Sequence, residues 1–341
     1  MKSYQNWASK ALRVVPAACY HAVQRARAEA FRRGILRGRK APMPVVSVGN
    51  LVMGGSGKTP FTIYLAELLL ERGFKPAVVS RGYRGTNRER FLVVGDGSSG
   101  EPLVGPSKSG DEPFLMAKRL PNVPVLIGRR RIDAIEAAKR LFACNIAVLD
   151  DGFQHLSLQR DADIALLNGT EDSMFPLGSL REPISALNRA DIVVLMGSSE
   201  MTKYSALHYA DTSSVFRCHL LPISLGKNIR KQAHLSPSEY AGREVVLVSG
   251  IANPGRFRAT AEDLDWQVVD QLIYPDHYVF SDAELREILV QYHDIPIVVT
   301  EKDWVKLPEW FKNESQVLVL RIHVVIEDEE AFWAALRRFI P

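Results

Sequence analysis

The sequence of 341 residues is poor in cysteine and contains no long apolar run. Its three cysteines, Cys19, Cys144 and Cys218, are far apart and form no CxxC pair or metal-ligand spacing, so neither a disulfide framework nor a zinc site is predicted and a reducing cytoplasm fits. No apolar stretch approaches the roughly 18 residues that a membrane-spanning helix needs, and no apolar core with a small-residue cleavage pattern predicts a secretory signal. Short repeats and low-complexity tracts are also lacking. What remains is an ordinary globular composition, 46% hydrophobic and 24% charged, long enough for about two domains.

Excess positive charge is also missing from most of the chain, because it is concentrated in residues 1–40. Ten lysines and arginines against one acid give this N-terminal arm a charge of +9, and since the whole chain carries +4, residues 41–341 sum to −5. On a helix, residues 2–15 place Trp7 and other apolar side chains on one face and basic and polar ones on the other. Residues 17–36 can be helical as well. A basic arm of this kind binds phosphates, either of lipid headgroups or of nucleic acid.

The composition of the arm leaves three uses open: a helix packed on its own domain, an in-plane helix at a membrane surface, and a nucleic-acid contact. A basic amphipathic helix with tryptophan and tyrosine on its apolar face is typical of a membrane surface, and we predict that use. Nucleic acid is not predicted as a partner, because the rest of the chain has no zinc finger, no RNA-binding aromatic motif and no basic excess.

A glycine-rich loop in VGNLVMGGSGKTPF connects an apolar strand pattern to a helix pattern. A P-loop reads Gly, four residues, then Gly-Lys-Ser/Thr, but here the first glycine is missing and Val52 stands in its place. The backbone N–H groups of such a loop, and the start of the following helix, bind phosphate oxygens. Lys58 would neutralise the transferring phosphate, and the Thr59 hydroxyl would reach Mg²⁺. The predicted nucleotide-binding residues of the loop are Gly54, Gly55, Ser56, Gly57, Lys58 and Thr59; the alternative is a glycine turn with a solvated lysine.

Two adjacent acids end the strand pattern in NIAVLDDGFQH. A phosphate site of the P-loop type needs an acid at the end of a neighbouring strand to hold magnesium. Asp150 and Asp151 meet this need, with Asp151 favoured for ordering the water shell of the ion. The alternative is a helix cap or a solvated turn. With the glycine loop upstream, a metal site is the preferred interpretation, and its predicted ligands are Thr59, Asp150 and Asp151.

Short apolar, β-branched runs alternate with helix patterns after residue 43. This alternation is typical of a parallel sheet with helices on both faces. We therefore predict an α/β fold of the P-loop NTPase type at residues 41–222, followed by a second, smaller α/β domain at residues 223–341. The boundary is placed near residue 222, where the pattern becomes polar and irregular.

The combination of motifs resembles the tetraacyldisaccharide 4′-kinase family, the lipid A kinases of Gram-negative bacteria. The matching stretches run from about residue 4 to 310 in the family's order: VGNLVMGGSGKTP, SRGYRG, GDEPFLMAKR, LDDGFQH, LGSLREP, RADIVV, SGIANPGRF, YPDHYVF and VTEKDWVKL. That family also has a non-glycine residue at the position of Val52. The resemblance implies a membrane-associated enzyme that uses MgATP to phosphorylate the 4′-hydroxyl of a tetraacylated glucosamine disaccharide 1-phosphate. It places the protein at the cytoplasmic face of the inner membrane and implies no obligate protein partner.

The resemblance also implies roles for residues outside the glycine loop. Asp111 in GDEP is the implied base, and His277 in the DH motif of the second domain pairs with it, so that closure of two lobes would assemble the site. From the residues alone, an N-cap is the preferred interpretation of Asp111, and a loop histidine that of His277; the resemblance reverses both. Arg131 is expected to stabilise the transferring phosphoryl group among the nucleotide-binding residues. The expected substrate-binding residues are Gln154, His155, Arg181 and Glu182.

Two other functions stay open beside this one. The first is a P-loop kinase for another membrane-borne small molecule, which would need no groove for acyl chains. The second is a membrane-recruited NTPase switch, which would hydrolyse nucleotide without a lipid acceptor. The stretch TEKD at residues 300–303 has the wrong order for a guanine reader, and this disfavours a GTPase.

Overall fold

The computed structural model describes residues 23, 26–31, 33–169, 175, 178–197, 214–227, 229 and 235–341. The predicted helix at 2–15 and most of that at 17–36 lie outside the described residues; within the second, residues 26–31 are helical. Among the helices of the described part, none is both long enough and apolar enough to cross a membrane.

The strands and helices follow the alternation expected from the sequence. The strands are β1 (Val45–Asn50), β2 (Pro76–Ser80), β3 (Leu92–Asp96), β4 (Pro124–Ile127), β5 (Ile146–Asp150), β6 (Ala162–Leu167), β7 (Ile192–Met196), β8 (Val215–Gly226), β9 (Glu244–Ser249), β10 (Gln267–Ile273), β11 (Ile297–Thr300) and β12 (Val317–Ile326). The helices are α1 (Lys58–Glu71), α2 (Pro106–Ser109), α3 (Asp111–Arg119), α4 (Arg131–Phe142), α5 (Pro254–Asp263), α6 (Asp282–Gln291), α7 (Glu301–Trp304), α8 (Glu309–Lys312) and α9 (Glu329–Leu336). Short 3₁₀ turns span Ile184–Arg189 and Pro237–Tyr240.

All twelve strands form one sheet in the order β10-β9-β11-β12-β8-β7-β6-β1-β5-β2-β4-β3. Neighbours are parallel except at the β3–β4 edge and at the β8–β12 pair, which are antiparallel. The central strands β1, β5, β6 and β7 are buried along their whole length, as expected for apolar runs with helices on both faces. The prediction of an α/β fold is thus confirmed.

The β8–β12 pair reverses the strand direction between a first half of the sheet, β1 to β8, and a second half, β9 to β12. Six steps separate β1 from β9 in the sheet order, and a twist of about 20–25° per step accumulates to roughly 120–150°. After one reversal, this twist turns β9 back towards the direction of β1. The carboxyl ends of the parallel strands in both halves therefore border one cleft, where ligands of open α/β sheets bind.

Helix α1 joins the two halves. The pattern of α1 predicts a helix with one buried face that ends at Gly73, and Gly73 does have the positive φ of 86° of a helix terminator. However, α1 is buried on nearly all sides, because α9 and β12 cover the side that faces away from the first half. The Phe61 and Phe332 rings meet edge to face at 6.0 Å, and Tyr64 donates a 2.7 Å hydrogen bond to Glu329. The predicted boundary at residue 222 falls inside β8, and the division into two domains stays a prediction.

Candidate active site

The glycine loop lies between β1 and α1, at the carboxyl edge of the first half of the sheet. Gly57 is the N-cap of α1 with a φ of 80°, a conformation that residues with a side chain disfavour. Lys58 donates to Asn50 Oδ1 at 3.2 Å and to Ser56 Oγ at 3.4 Å, and the Asn50 amide donates to Ser56 Oγ at 2.6 Å. The lysine is therefore held among polar loop side chains, beside the unpaired N–H groups at the start of α1.

Asp150 ends β5 next to this loop. Its buried carboxylate accepts hydrogen bonds from Ser80 Oγ at 3.0 Å and from Thr62 Oγ1 at 3.5 Å. Burial raises the pKa of Asp150 to about 7, and the nearby charges of Glu112 and Asp151 act in the same direction. Three acids, Asp150, Asp151 and Glu112, thus lie close enough at the end of β5 for their charges to interact.

Asp151 directs its carboxylate towards two cations. The Arg181 Nη1 lies 3.0 and 2.9 Å from its two oxygens, and the Lys58 ammonium is 3.6 Å from Oδ1. Burial of Asp151 by itself raises its pKa, but the charges of Lys58 and Arg181 outweigh burial and lower it. Asp151 also has a positive φ of 53°, a strained conformation that is common at functional sites.

The donor set around Asp150 fits a hard divalent cation. Thr62, which contacts Asp150 at 3.5 Å, lies one helical turn after Thr59 on the same face of α1, so Thr59 is on the side of the helix that faces the end of β5. Carboxylate and hydroxyl oxygens are the ligands that Mg²⁺ prefers, usually with several waters retained. A bound cation would also stabilise the ionised form of the buried Asp150.

Asp111 and His277, which are far apart in the sequence, are in contact. Asp111 is the first residue of α3, Gly110 is its N-cap, and no side chain caps this helix end. The Asp111 carboxylate is instead 3.0 Å, through Oδ2, from His277 Nδ1. His277 follows β10 with a positive φ of 65°, and its backbone N–H donates to Gly250 O at 3.2 Å. Each half of the sheet thus supplies one member of the pair.

Lys302 lies on the other side of the His277 ring. Its ammonium is 3.2 Å from Nε2, and it also contacts Asp276 Oδ1 at 3.0 Å and Glu112 Oε1 at 3.3 Å. Burial lowers the pKa of Lys302, but Glu112 and Asp276 outweigh it, so the pKa is raised and the group is a cation. An ammonium can only donate, so Nε2 must accept, and the ring proton is left on Nδ1, where it donates to Asp111.

Lys302 belongs to TEKD, whose other residues support the same site. Thr300 caps α7 and donates from Oγ1 to Asp303 at 2.7 Å, and the fully buried Asp303 accepts from the Gly250 backbone N–H at 3.0 Å. Lys306 is 3.0 Å from Asp303 and 3.8 Å from Asp111. The sequence predicts no role for the lysines of this stretch, which is a failed guanine motif and one of the stretches that carry the family resemblance; two lysines just after an apolar strand were the available signal.

Arg131 is buried at the first position of α4. Burial lowers its pKa to about 10, while the charges of Asp150 and Asp151 act in the opposite direction. Its Nη1 donates to Gly128 O at 3.5 Å, and its Nε has no hydrogen-bond partner among the described residues. A cation beside two acids with an unused donor fits the expected phosphate contact, whose role stays a prediction.

Gln154 and His155 follow the two acids on the loop after β5. Gln154 donates from Nε2 to Asn50 O at 2.8 Å, and within the described chain its Oε1 has no partner. Burial, helped by nearby arginines, lowers the pKa of His155 to about 4, so its imidazole is neutral near pH 7. Ser157 Oγ lies 3.3 Å from its Nε2.

Glu182 is placed differently from the other predicted residues. Its buried carboxylate forms two 2.7 Å hydrogen bonds with Arg189, whose guanidinium stacks on the Phe153 ring at 3.9 Å. Arg181 thus contacts Asp151 of the site, whereas Glu182 is paired with Arg189. Substrate binding by either residue stays a prediction.

Comparisons with known proteins agree with this arrangement. A family model described as tetraacyldisaccharide-1-P 4′-kinase matches residues 9–341. The tetraacyldisaccharide 4′-kinase of Pelobacter propionicus is 34% identical over 332 residues, which cover 94% of this chain and 90% of that protein. That of Aquifex aeolicus is 34% identical over 307 residues, covering 88% and 89%. A crystal structure of LpxK from Aquifex aeolicus in complex with ATP has a TM-score of 0.79 at 31% identity and covers 96% of this chain and 98% of that one. The chain therefore belongs to the tetraacyldisaccharide-1-P 4′-kinase family.

Proposed function

We propose that this protein transfers the γ-phosphate of ATP to the 4′-hydroxyl of a tetraacyldisaccharide 1-phosphate, a step of lipid A biosynthesis that forms lipid IVA. The observation that carries the proposal is the Asp111–His277 contact of 3.0 Å beside a glycine loop that holds Lys58. Family membership supports the acceptor, since the relatives are named tetraacyldisaccharide 4′-kinases. The similar fold of a protein crystallised with ATP supports the donor.

In this mechanism the glycine loop binds the phosphate donor, ATP, and the base acts on the acceptor hydroxyl. Lys58 and the N–H groups at the start of α1 bind the phosphates of ATP, and Arg131 stabilises charge on the group in transfer. Asp111 accepts the proton of the acceptor hydroxyl while a new O–P bond forms and the bond to the leaving ADP oxygen breaks. His277 donates from Nδ1 to Asp111 and fixes its orientation.

Thr59, Asp150 and Asp151 are the residues that would hold Mg²⁺. When bound, the ion neutralises negative charge on the phosphate oxygens. The chain itself prepares this place, since Ser80 and Thr62 orient the Asp150 carboxylate and Arg181 orients that of Asp151.

The arm would bring this site to a membrane surface, at the cytoplasmic face of the bacterial inner membrane. Among the described residues of the arm, Ile35 and Leu36 are exposed at 73% and 45%, within the segment that carries the basic excess. Arg39 then pairs with the loop that follows His155: its N–H donates to Ser157 O, and Gln159 N–H donates to its carbonyl, both at 2.9 Å. An arm on a bilayer would thus place the loop after β5, which carries the predicted substrate residues Gln154 and His155, near an acylated acceptor.

The test is transfer of labelled γ-phosphate from ATP to purified tetraacyldisaccharide 1-phosphate in detergent micelles. Wild type is expected to transfer, Lys58→Ala and Asp111→Ala to lose about 10²–10⁴ in rate, and His277→Ala to lose less. ATP hydrolysis without the acceptor is the parallel measurement. Hydrolysis without transfer would reject the kinase in favour of an NTPase switch, whereas transfer to a soluble acceptor alone would favour a different kinase.

A further inference from the structure

We propose that Lys306 and Asp303 are positioning residues for the base: the Lys306 ammonium stabilises the Asp111 carboxylate, and Asp303 restrains that ammonium from forming a close ion pair with it. The sequence assigns neither of them a role. The inference rests on the proposed function, because it takes Asp111 as the base. It concerns the charge of the carboxylate, whereas Lys302 fixes the proton on the His277 ring.

Five residues form a closed series of contacts around the base, the base network: Asp111, His277, Gly250, Asp303 and Lys306. Asp111 Oδ2 lies 3.0 Å from His277 Nδ1, and the His277 backbone N–H donates to Gly250 O at 3.2 Å. The Gly250 N–H donates to Asp303 Oδ2 at 3.0 Å. Asp303 Oδ1 is 3.0 Å from the Lys306 ammonium, which lies 3.8 Å from Asp111 Oδ2. Residues from separate segments of the chain thus hold one carboxylate.

Lys306 is a buried cation with few partners. Its side chain is 5% exposed, and the carboxylates within 4.0 Å of its ammonium among the described residues are those of Asp303 and Asp111. Its Nζ has no hydrogen-bond partner in the described part of the chain, so Asp303 holds it at 3.0 Å by charge and not by a directed hydrogen bond. A charge that is removed from water acts more strongly on a nearby carboxylate than one at the surface. At 3.8 Å the ammonium therefore favours the ionised form of Asp111.

Asp303 is itself anchored by groups other than Lys306. Its fully buried carboxylate accepts from Thr300 Oγ1 at 2.7 Å as well as from the Gly250 N–H, both through Oδ2. A Cβ added at Gly250 would lie 3.2 Å from Asp303 Oδ1 and 3.1 Å from Pro275 O, so the absence of a side chain lets the backbone approach the acid. The fixed carboxylate keeps the ammonium nearer to itself than to Asp111. This distance matters because a carboxylate that is paired closely with a cation is a weaker base.

The other charged side chains near the base contact His277 or one another. They are Lys302, Asp276, Glu112 and Arg84. The charge of Lys302 is compensated by two acids, whose carboxylates lie 3.3 and 3.0 Å from its ammonium. Within the described residues, the groups within 4.0 Å of the Asp111 carboxylate that can carry positive charge are the His277 ring and the Lys306 ammonium.

The test measures the acid limb of kcat/KM for the acceptor, where the rate falls as the pH falls, in two opposed variants. Lys306→Met removes the ammonium, so the carboxylate is protonated more readily and the midpoint of the limb should rise by about one pH unit. Asp303→Asn removes the countercharge and leaves the ammonium to Asp111, so the midpoint should fall. The plateau of this variant should drop about five- to tenfold, because the base is weaker. Lys306→Arg keeps the charge and should stay within about 0.3 pH unit of wild type.

Titration of the Asp111 carboxyl carbon by ¹³C NMR follows the same changes without phosphate transfer, and the signal that Asp111→Asn removes identifies it. This readout separates Asp111 from Asp150, whose pKa is raised by burial to about 7 and which also titrates in the kinetic profile. The control is Lys312→Met, whose ammonium pairs with Glu309 on α8, and it should leave both midpoints unchanged. Thermal unfolding shows whether each variant is folded.

Three results would overturn the inference: shifts of both opposed variants in one direction, losses of stability with unmoved midpoints, or a higher KM for the acceptor in Lys306→Met with an unmoved limb. The second result would leave a packing role, and the third would assign Lys306 to the substrate. If Asp303→Asn does not fold, an upward shift with Lys306→Met and none with Lys306→Arg supports the inference, and equal shifts with both reject it. If wild type transfers no phosphate, the proposed function fails, while opposed shifts of the Asp111 carbon still support the base network.

Discussion

Lys302 determines which nitrogen of the His277 ring carries the proton, although its own ammonium contacts Nε2 and not Asp111. Its contacts with Nε2 at 3.2 Å, Asp276 and Glu112 leave the imidazole only one way to satisfy both nitrogens. The proton on Nδ1 then donates to Asp111, which leaves the second Asp111 oxygen to accept from the substrate. Lys302 is thereby a positioning residue for the base.

Replacing Lys302 by Met should lower kcat about tenfold and leave KM for ATP unchanged, because Nε2 loses its donor and the ring is free to adopt the other tautomer. Lys302→Arg, which keeps a donor, should recover part of the loss. The ¹⁵N shifts of the His277 ring give a direct check, with a protonated Nδ1 in wild type and a mixture of tautomers in Lys302→Met. Lys312→Met, whose ammonium pairs with Glu309 on α8, is the control. A folded Lys302→Met protein with wild-type kcat and tautomer would refute this role.

The Asp111–His277 contact also predicts that the two side chains act as a unit. Asp111→Asn should cost about 10²–10⁴ in kcat, and His277→Ala added to it should cost little more, since a residue that works through the base has no effect once the base is absent. Single-turnover transfer with all four proteins of the cycle measures the coupling. Losses that simply multiply would show that His277 acts on the substrate independently.

The residues of this site differ in how far sequence could locate them. Lys58 and Asp151 each follow an apolar strand pattern within a local motif, so their place at the sheet edge was predictable. Lys302 was not, because its partners are Glu112 and His277, which come from other strand ends and meet only in three dimensions. A local pattern can predict that a side chain lies at the carboxyl edge of the sheet. Its role depends on contacts with residues from other strand ends, which the pattern does not contain.

At the scale of elements, a buried ion cluster fixes the helices that carry the base and Lys302. Arg119, the last residue of α3, donates at 2.5 Å to Glu301, the first residue of α7, and Glu301 accepts from the Ile322 backbone N–H at 3.2 Å. Arg321 of β12 lies 3.9 Å from the same carboxylate. Since α3 begins with Asp111, the cluster joins the far end of the base helix to the second half of the sheet.

Glu301→Gln should lower the free energy of unfolding by about 3 kcal/mol, because it leaves two buried guanidinium groups without their carboxylate. Urea denaturation measures the change. The matched change Glu262→Gln, in an exposed pair with Arg258 on α5, should cost under about 0.5 kcal/mol. Equal, small effects of the two changes would mean that water or backbone groups replace Glu301.

Strand β8 shows why the sequence predicted a domain boundary near residue 222, which lies inside this strand. Its residues are only half buried, so the run is not continuously apolar, and Pro222 interrupts it. The structure accommodates Pro222 at an irregularity of the β8–β12 register, opposite Ile322, which is where proline is tolerated inside a sheet. The continuously buried strands, such as β5 and β7, were predictable because their apolar runs are uninterrupted.

On the scale of the whole molecule, sheet twist and one reversal of strand direction create the cleft. The sequence contains the parts of both halves, but the contact between residues 111 and 277 depends on a twist summed over many strands, which no local pattern encodes. Only the resemblance to a family joined these residues before the structure did. The arm differs from the cleft in this respect, because its charge and its apolar face are local features that the sequence itself shows. Its proposed use can be tested on the intact chain.

Deleting residues 2–36 should release the protein from membranes and leave ATP binding within about twofold. The deleted segment carries most of the basic excess and the exposed Ile35 and Leu36, whereas Arg39 keeps its bonds to the loop at 157–159, so the site should stay intact. Co-sedimentation with phosphatidylglycerol vesicles, set against phosphatidylcholine vesicles, separates electrostatic from apolar binding, each basic residue near an anionic surface contributing about 1 kcal/mol. A full-length variant in which glutamine replaces the basic residues between 2 and 15 should lose the preference for anionic vesicles while keeping the chain length. Unchanged partition of the deletion variant would contradict membrane binding by the arm, and the attachment would then have to come from the body around the cleft.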